Sequence, residues 1–198
     1  MKQLTEENAR EYALEKFKEL PELNFKWNIL HSEGIIKILN ILCANKDINK
    51  TKLFALAWVH DIGKTISEEN HAKLSLEILK KEFVLDEVDT NCILNHGASG
   101  NPKTEEGKIF RYADGLSLFT KEVLVYRFFA EAKEGFEFEE IKERIKKIYN
   151  KYKLSYADSE EILKLLEDLY KKNFLDKSSF LEKRSRKEGG ATSQDIMK

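Results

Sequence analysis

The chain of 198 residues contains only two prolines and nine glycines, few for its length. Both residue types interrupt helices and are common in turns, so their scarcity favours long helices joined by short connections over a strand-rich fold. Cysteine is also rare, because Cys43 and Cys92 are the only two and no Cys-x-x-Cys spacing is present. This usage argues against a disulfide scaffold and is typical of a reducing compartment.

Neither sign of charge dominates, with 34 Lys and Arg against 35 Asp and Glu and a formal net charge of −1. The balance gives no support to binding of nucleic acid or of a membrane surface. No apolar run approaches the roughly 20 residues that span a bilayer. The N-terminal segment 1–7 is acidic and helical in pattern, unlike a signal peptide. We therefore expect a cytoplasmic protein.

Hydrophobic periodicity predicts an all-α protein, a helical bundle extended by C-terminal helices. The predicted helices span about 5–20, 25–44, 49–62, 70–81, 85–95, 104–133, 138–153 and 158–173. Pro21, Gly63 and Gly135 are expected to end the first, third and sixth of them. We expect residues 1–134 to form one helical domain with its core at 25–127. Residues 135–180 are expected to form an extension packed on it, and residues 181–198 a disordered tail.

The segment Ala55–Lys64 begins as an apolar run and then places His60 beside Asp61. Burial of a carboxylate next to an imidazole costs free energy unless something compensates, and a metal ion is an effective compensation. On a continuous helix the two side chains are about 100° apart and can reach one neighbouring point. We interpret His60 and Asp61 as adjacent metal ligands, the alternative being a solvated helix end.

The other three histidines and one aspartate also lie on or beside predicted apolar faces. His31 is on the buried stripe of the second helix, where a core histidine bonded to a backbone carbonyl is the alternative. His71 begins the fourth helix and His96 ends the fifth, and either is equally compatible with a surface position. Asp114 lies in a mostly apolar stretch, so it either faces water or has a strong partner. Because bundles build metal sites from facing helices, one shared site explains all of these residues together.

The ordered set resembles the HD-domain superfamily of metal-dependent phosphohydrolases. The similarity covers about residues 25–127, with His31, His60–Asp61 and Asp114 as its core motif. The segments Trp58–Lys64 and Arg111–Asp114 are similar to the second and last family motifs. The resemblance implies that His31, His60, Asp61 and Asp114 hold one divalent ion. His71 and His96 match the additional histidines of members with two ions, in which Asp61 would bridge the pair.

The resemblance implies hydrolysis of a phosphate ester or anhydride, in a nucleotide or similar small substrate, by a metal-activated hydroxide. Imidazole and carboxylate ligands suit Mn, Fe, Co, Ni, Zn or Mg, and the sequence does not choose among these ions. Asp61 would orient the nucleophile and Lys64 would meet a phosphate, although Lys64 is equally compatible with a solvated helix-end lysine. Arg111 and Lys121 are weaker candidates for phosphate contact.

Three branches of the family are worth comparing. Hydrolases of the alarmone (p)ppGpp carry a Glu-Asp pair shortly after the His-Asp motif, whereas Ile62–Thr65 follows it here. The HD-GYP phosphodiesterases share His-Asp-Ile-Gly-Lys, but this chain has Gly100–Pro102, with Asn101 in place of tyrosine. Bacterial hydrolases of diadenosine polyphosphates resemble it in size and ligand order. The alternative to an enzyme is a metal-binding regulatory or interaction module without turnover. A homo-oligomer is left open.

Overall fold

The computed structural model describes residues 1–175, which form nine α-helices and two very short strands. The helices are α1 (Glu6–Phe17), α2 (Glu22–Leu42), α3 (Lys50–Val59), α4 (His71–Glu82), α5 (Glu87–Asn95), α6 (Glu105–Ser117), α7 (Lys121–Lys133), α8 (Phe138–Ser155) and α9 (Glu160–Tyr170). Strands β1 (Lys2–Gln3) and β2 (Phe83–Val84) pair in parallel. The all-α prediction is confirmed. The predicted tail at 181–198 and the last residues of the predicted extension lie outside the described residues.

Helix α3 is the centre of the fold, because after its first turn it is apolar on every side. Leu53 and all five residues from Ala55 to Val59 are buried, and α3 packs against α1, α2 and α5. A helix that is hydrophobic all round belongs inside a core rather than at a surface. Its C-terminus therefore delivers the next two residues, His60 and Asp61, into the interior, where they are 0% and 3% exposed.

The prediction that the third helix continues to Ile62 is wrong. The α-helix ends at Val59, Asp61 has φ −104° and ψ 4°, and a 3-10 helix covers Ile62–Thr65. The two adjacent side chains are therefore presented by a turn rather than by one helical surface. Gly63 does not end α3 in a left-handed conformation, since Gly135 is the only glycine in the described chain with a positive φ.

Gly63 is instead required by a close approach between the 3-10 helix and α4. A Cβ at this position would lie 2.2 Å from the carbonyl oxygen of His71 and 2.6 Å from the backbone nitrogen of Ser75. The Gly63 N–H donates to the Ser75 hydroxyl at 2.8 Å. This contact sets the position of His71, the first residue of α4, relative to Asp61.

The single long helix predicted over 104–133 is also wrong, because α6 and α7 are separated by a turn at Leu118–Thr120. The Ser117 hydroxyl donates to the Asp114 carbonyl, and the Thr120 hydroxyl donates to the Ser117 carbonyl. Hydroxyl groups that bond nearby carbonyls in this way compete with continued helix formation. The predicted start of the second helix at Phe25 is three residues late, with Pro21 at the N-cap of α2 rather than at the end of α1.

The C-terminal helices pack on the domain that carries the four histidines. Helix α8 contacts α7, and α9 contacts α6. The Arg111 guanidinium on α6 donates to the carbonyl oxygens of Ser155 and Ala98 at 2.8 and 3.1 Å. The Ser155 hydroxyl donates to the same Ala98 carbonyl at 2.6 Å. The end of α8 is thereby fastened to the loop that follows His96.

The described helices include none that combines the length and the apolar character of a membrane span. The cytoplasmic location and the division into residues 1–134 and 135–180 stay predictions.

Candidate metal centre

The four histidines are oriented in the same way, each with its Nδ1 atom held by a neighbouring acceptor. The acceptors are the carbonyl oxygens of Ala57 for His60 (3.0 Å), Glu68 for His71 (2.6 Å) and Ile93 for His96 (2.6 Å), and the Ser117 hydroxyl for His31 (2.9 Å). A carbonyl only accepts, so Nδ1 carries the hydrogen in those three rings. The Ser117 hydroxyl donates its own hydrogen to the Asp114 carbonyl, so it accepts a hydrogen bond from His31 Nδ1. All four Nε2 atoms are left to face a common centre.

One group of ligand atoms forms around the Oδ2 atom of Asp61. The Nε2 atoms of His60 and His31 lie 3.3 and 3.8 Å from it. Asp114 closes the group, with its Oδ1 atom 3.0 Å from His31 Nε2 and 3.6 Å from His60 Nε2. His31 is fixed by α2, His60 and Asp61 by the end of α3, and Asp114 by α6. The strong partner expected for a buried Asp114 is therefore a pair of histidines.

A second group lies on the other oxygen of the same carboxylate. Asp61 Oδ1 is 3.4 Å from His71 Nε2 and 3.5 Å from His96 Nε2, and these two nitrogens are 2.9 Å apart. His96 is 4% exposed, so it is not a solvated helix-end residue, while His71 keeps 25% of its side chain exposed. The structure thus brings together all six residues selected as metal ligands, and Asp61 is the one that touches both groups.

The donor set fits one or two divalent cations. His60 Nε2 and Asp61 Oδ1 are buried and have no hydrogen-bond partner among the described residues. Two nitrogen ligands each about 2.0–2.1 Å from one ion are separated by about 3 Å, which is close to the His71–His96 distance. In neutral rings those two Nε2 lone pairs face each other, an arrangement that a shared cation relieves. The buried ligand atoms of His31, His60 and Asp114 lie within 4.8 Å of one another, as do those of His60, Asp61 and His96.

Comparison with protein-family models gives one match, to the HD domain over residues 28–118. All six ligand residues lie within those bounds. Residues 28–118 form an HD domain. No curated protein and no solved structure matches the chain. The family is one of metal-dependent phosphohydrolases, which agrees with a buried His/Asp cluster able to hold a metal.

A proton on His60 partly balances the negative charge of Asp61 and Asp114 in this HD domain when no metal is bound. Burial by itself would lower the pKa of His60, but the Asp61 and Asp114 carboxylates outweigh it and raise that pKa to about 9. Burial opposes ionisation of Asp61 as well, yet His60 and Lys64 hold its pKa well below the usual range. Burial lowers the pKa of His31 despite the neighbouring Asp114. A cation binding at the centre must therefore displace a proton from His60.

Lys64, the candidate for contact with a phosphate, forms an ion pair with Asp61. Its ammonium lies 2.7 Å from Asp61 Oδ2, and only 16% of the side chain is exposed. Burial would lower the pKa of Lys64, but Asp61 raises it, so the side chain stays charged. Lys64 therefore neutralises the Asp61 carboxylate rather than extending into solvent.

The two weaker candidates for phosphate contact are not at the centre. Arg111 uses its guanidinium to hold Ala98 and Ser155, as described above. Lys121 begins α7 and lines an apolar surface depression with Val125 and Phe129, not the cavity at the metal ligands.

A cavity of about 300 Å³ opens over the ligand residues, and part of its wall comes from outside residues 28–118. Trp27 on α2 lines one side, Gly97–Ser99 a second, and Lys151 and Tyr152 of α8 a third. Tyr152 fits because a Cβ on Gly115 would lie 2.2 Å from its ring. The sequence analysis selected no residue of α8 for the site, so Lys151 and Tyr152 were missed. In the sequence, only Gly115 could have indicated that another element approaches α6 closely beside Asp114.

Replacement of Gly63 by alanine tests whether the turn after α3 sets the geometry of the centre. The new Cβ would meet backbone atoms of α4, which cannot rotate away, so α4 and His71 must shift. We expect a loss of about 2–4 kcal/mol in the free energy of unfolding and fewer bound metal ions. Chemical denaturation and metal analysis measure the two effects. Gly97→Ala is the matched control, because a Cβ there meets nothing within 4 Å; equal stability of both variants would contradict the prediction.

Proposed function

We propose that this HD-domain protein hydrolyses a phosphate ester or anhydride of a nucleotide or similar small substrate. The observation that carries the proposal is the convergence of four Nε2 atoms and two carboxylates beneath an open cavity. One or two divalent ions bound there would supply Lewis acidity toward phosphoryl oxygens and would lower the pKa of water. In hydrolysis, water oxygen bonds to phosphorus, the bond from phosphorus to the leaving oxygen breaks, and that oxygen gains a proton.

In this proposal each residue of the site has a separate role. His31, His60 and Asp114 would hold one cation and His71 and His96 a second, with the Asp61 carboxylate available to both groups. The Nδ1 bonds of the histidines fix the rings before a cation arrives, so little rearrangement is required on binding. Lys64 keeps Asp61 ionised by its 2.7 Å contact with Oδ2. Asp61 is placed to orient the attacking water because it touches both halves of the centre.

The space around the centre supports a substrate larger than a phosphate. A second cavity of about 310 Å³ shares Trp27 and Lys64 with the first, so these side chains separate two neighbouring compartments. The second compartment is lined by Asn24 and by Arg127 and Glu131, whose side chains pair with each other at 2.7 Å. A phosphoryl group over the ligands would leave room for a polar leaving group, such as a nucleoside, beyond Trp27.

A screen of phosphate compounds tests the proposed function. Protein stripped with a chelator is supplied in turn with Mn, Co, Ni, Zn, Fe or Mg. It is then assayed with p-nitrophenyl phosphate, bis(p-nitrophenyl) phosphate, mononucleotides, cyclic nucleotides and dinucleoside polyphosphates. We expect metal-dependent release of product with at least one compound, lost again on chelation. Metal binding without any turnover would favour a regulatory module, and absence of metal binding would refute the centre itself.

A further inference from the structure

Helix α8 lies outside residues 28–118 and carries lysines with different surroundings. Three of them form ion pairs, namely Lys142 with Glu139, Lys146 with Glu143 and Lys153 with Glu167. Lys147 and Lys151 form no ion pair with any residue in the part of the chain that the structure describes. Of these two, Lys151 lines the cavity over the metal ligands, and Lys147 does not. Lys151 is thus an unpaired cation at the mouth of this cavity.

The position of Lys151 is set by its neighbours on α8. Tyr152 is 7% exposed, with its ring packed over Gly115, the residue after Asp114. One turn later the Tyr156 hydroxyl donates to the Arg111 carbonyl at 2.8 Å. These contacts fasten α8 beside α6, so the lysine that precedes Tyr152 is held at the cavity while its ammonium remains in water.

Lys64 is less suited to contact a substrate. Its ammonium already lies against Asp61 Oδ2, and withdrawing it would leave a buried carboxylate without that partner. Lys151 is exposed, and it has no ion-pair partner among residues 1–175 that it would have to leave. A substrate anion entering the cavity can therefore attract Lys151 without breaking an internal ion pair.

We propose that Lys151 is the cationic contact for the phosphoryl group and that it favours phosphomonoesters over phosphodiesters. The inference rests on the proposed function, because it assigns a substrate class to the same site. A phosphomonoester carries a charge of about −1.5 to −2 at neutral pH, whereas a diester carries a single negative charge. Coulomb attraction scales with the product of the charges, so one added cation stabilises the monoester more. Lys151 thus acts on selectivity as well as on affinity.

The test compares wild type, Lys151→Met, Lys151→Arg and the matched control Lys147→Met, each loaded with the same ion. Lys147 lies one turn away on the same helix, so its replacement removes the same charge without touching the cavity. For Lys151→Met we expect kcat/KM to fall about tenfold with p-nitrophenyl phosphate and about threefold with bis(p-nitrophenyl) phosphate. Lys151→Arg should restore most of the monoester activity, and Lys147→Met should match wild type on both substrates.

Binding of inorganic phosphate, measured by calorimetry on the same metal-loaded proteins, gives a second readout that requires no turnover. Lys151→Met should weaken phosphate binding about tenfold while the metal content stays unchanged. Equal phosphate affinity in Lys151→Met and Lys147→Met, or an equal loss on both esters, overturns the inference. If phosphate binding depends on Lys151 but the wild type hydrolyses no ester, the proposed function is refuted while the phosphate contact is supported. Wild type that neither binds phosphate nor turns over any ester overturns both.

Discussion

Asp61→Asn is expected to abolish hydrolysis, with a fall of at least about 10³-fold in kcat/KM, and to reduce the number of bound metal ions. Asp61 is the residue whose two oxygens face both histidine groups, at 3.3 Å from His60 and 3.4 Å from His71. An amide has one oxygen and no charge, so it cannot serve both groups. It also leaves Lys64 without its carboxylate partner.

The control for this variant is Asp89→Asn. Asp89 is also a buried aspartate, 4% exposed, and it pairs with Lys52 at 3.3 Å, but it is not one of the six ligand residues. The Asp89→Asn variant should be less stable than wild type but should keep its metal content and its activity. The measurements are steady-state kinetics with the best compound of the screen, metal analysis, and circular dichroism to establish folding. A folded Asp61→Asn protein with wild-type metal content and turnover would refute the assigned role of Asp61.

Divalent transition metals are expected to stabilise the folded protein strongly. At a free metal concentration of 100 to 1,000 times Kd, binding adds about 3–4 kcal/mol to the free energy of unfolding, or about 5–15 °C in Tm for a chain of this size. The reason is that His60 Nε2 and Asp61 Oδ1 have no hydrogen-bond partner within residues 1–175, and a bound cation would satisfy both atoms. Scanning calorimetry of stripped protein with and without Mn or Ni measures the shift. Calcium is the control ion, because it prefers oxygen ligands to imidazole.

The same stabilisation should depend on pH in a defined direction. The pKa of His60 is raised from 6.5 to about 9 in the metal-free fold, so its charged form stabilises that fold below pH 6.5. This contribution is lost as pH rises through 9, while metal binding improves because the cation no longer competes with the proton. The shift in Tm on adding metal should therefore be larger at pH 8 than at pH 6. A shift that is equal at both values, or absent with every transition metal, would contradict the prediction.

The six residues that the sequence selected lie together in the fold, and they could be selected because their signal is local and chemical. His60 and Asp61 follow an apolar run that only a buried helix explains, and Asp114 lies in a segment too apolar for an unpaired carboxylate. The matching HD domain confirms the family that these residues indicated. Which oxygen of Asp61 faces which histidine depends on the turn after Val59, and periodicity cannot specify a turn.

The residues that sequence analysis misplaced are those whose role depends on what lies opposite them. An amphipathic pattern on α8 tells which residues are buried but not which helix they meet, so Tyr152 was not selected as part of the site. Arg111 begins the segment that is similar to the last family motif, yet its guanidinium donates hydrogen bonds to the carbonyl oxygens of Ala98 and Ser155, which are distant in sequence. The break between α6 and α7 was missed because Ser117 and Thr120 act through side-chain bonds to carbonyls that hydrophobicity does not register.

The bond network of Arg111, Ser155 and Ala98 has a consequence for how the protein can be divided. The shortest fragment that keeps the cavity and its bonds intact extends to Tyr156, although the family match ends at residue 118. A fragment cut at the family boundary keeps all six ligands, yet it removes Ser155 from the Ala98 carbonyl and Tyr152 from the cavity wall. The functional module of this chain is therefore longer than its recognisable motif.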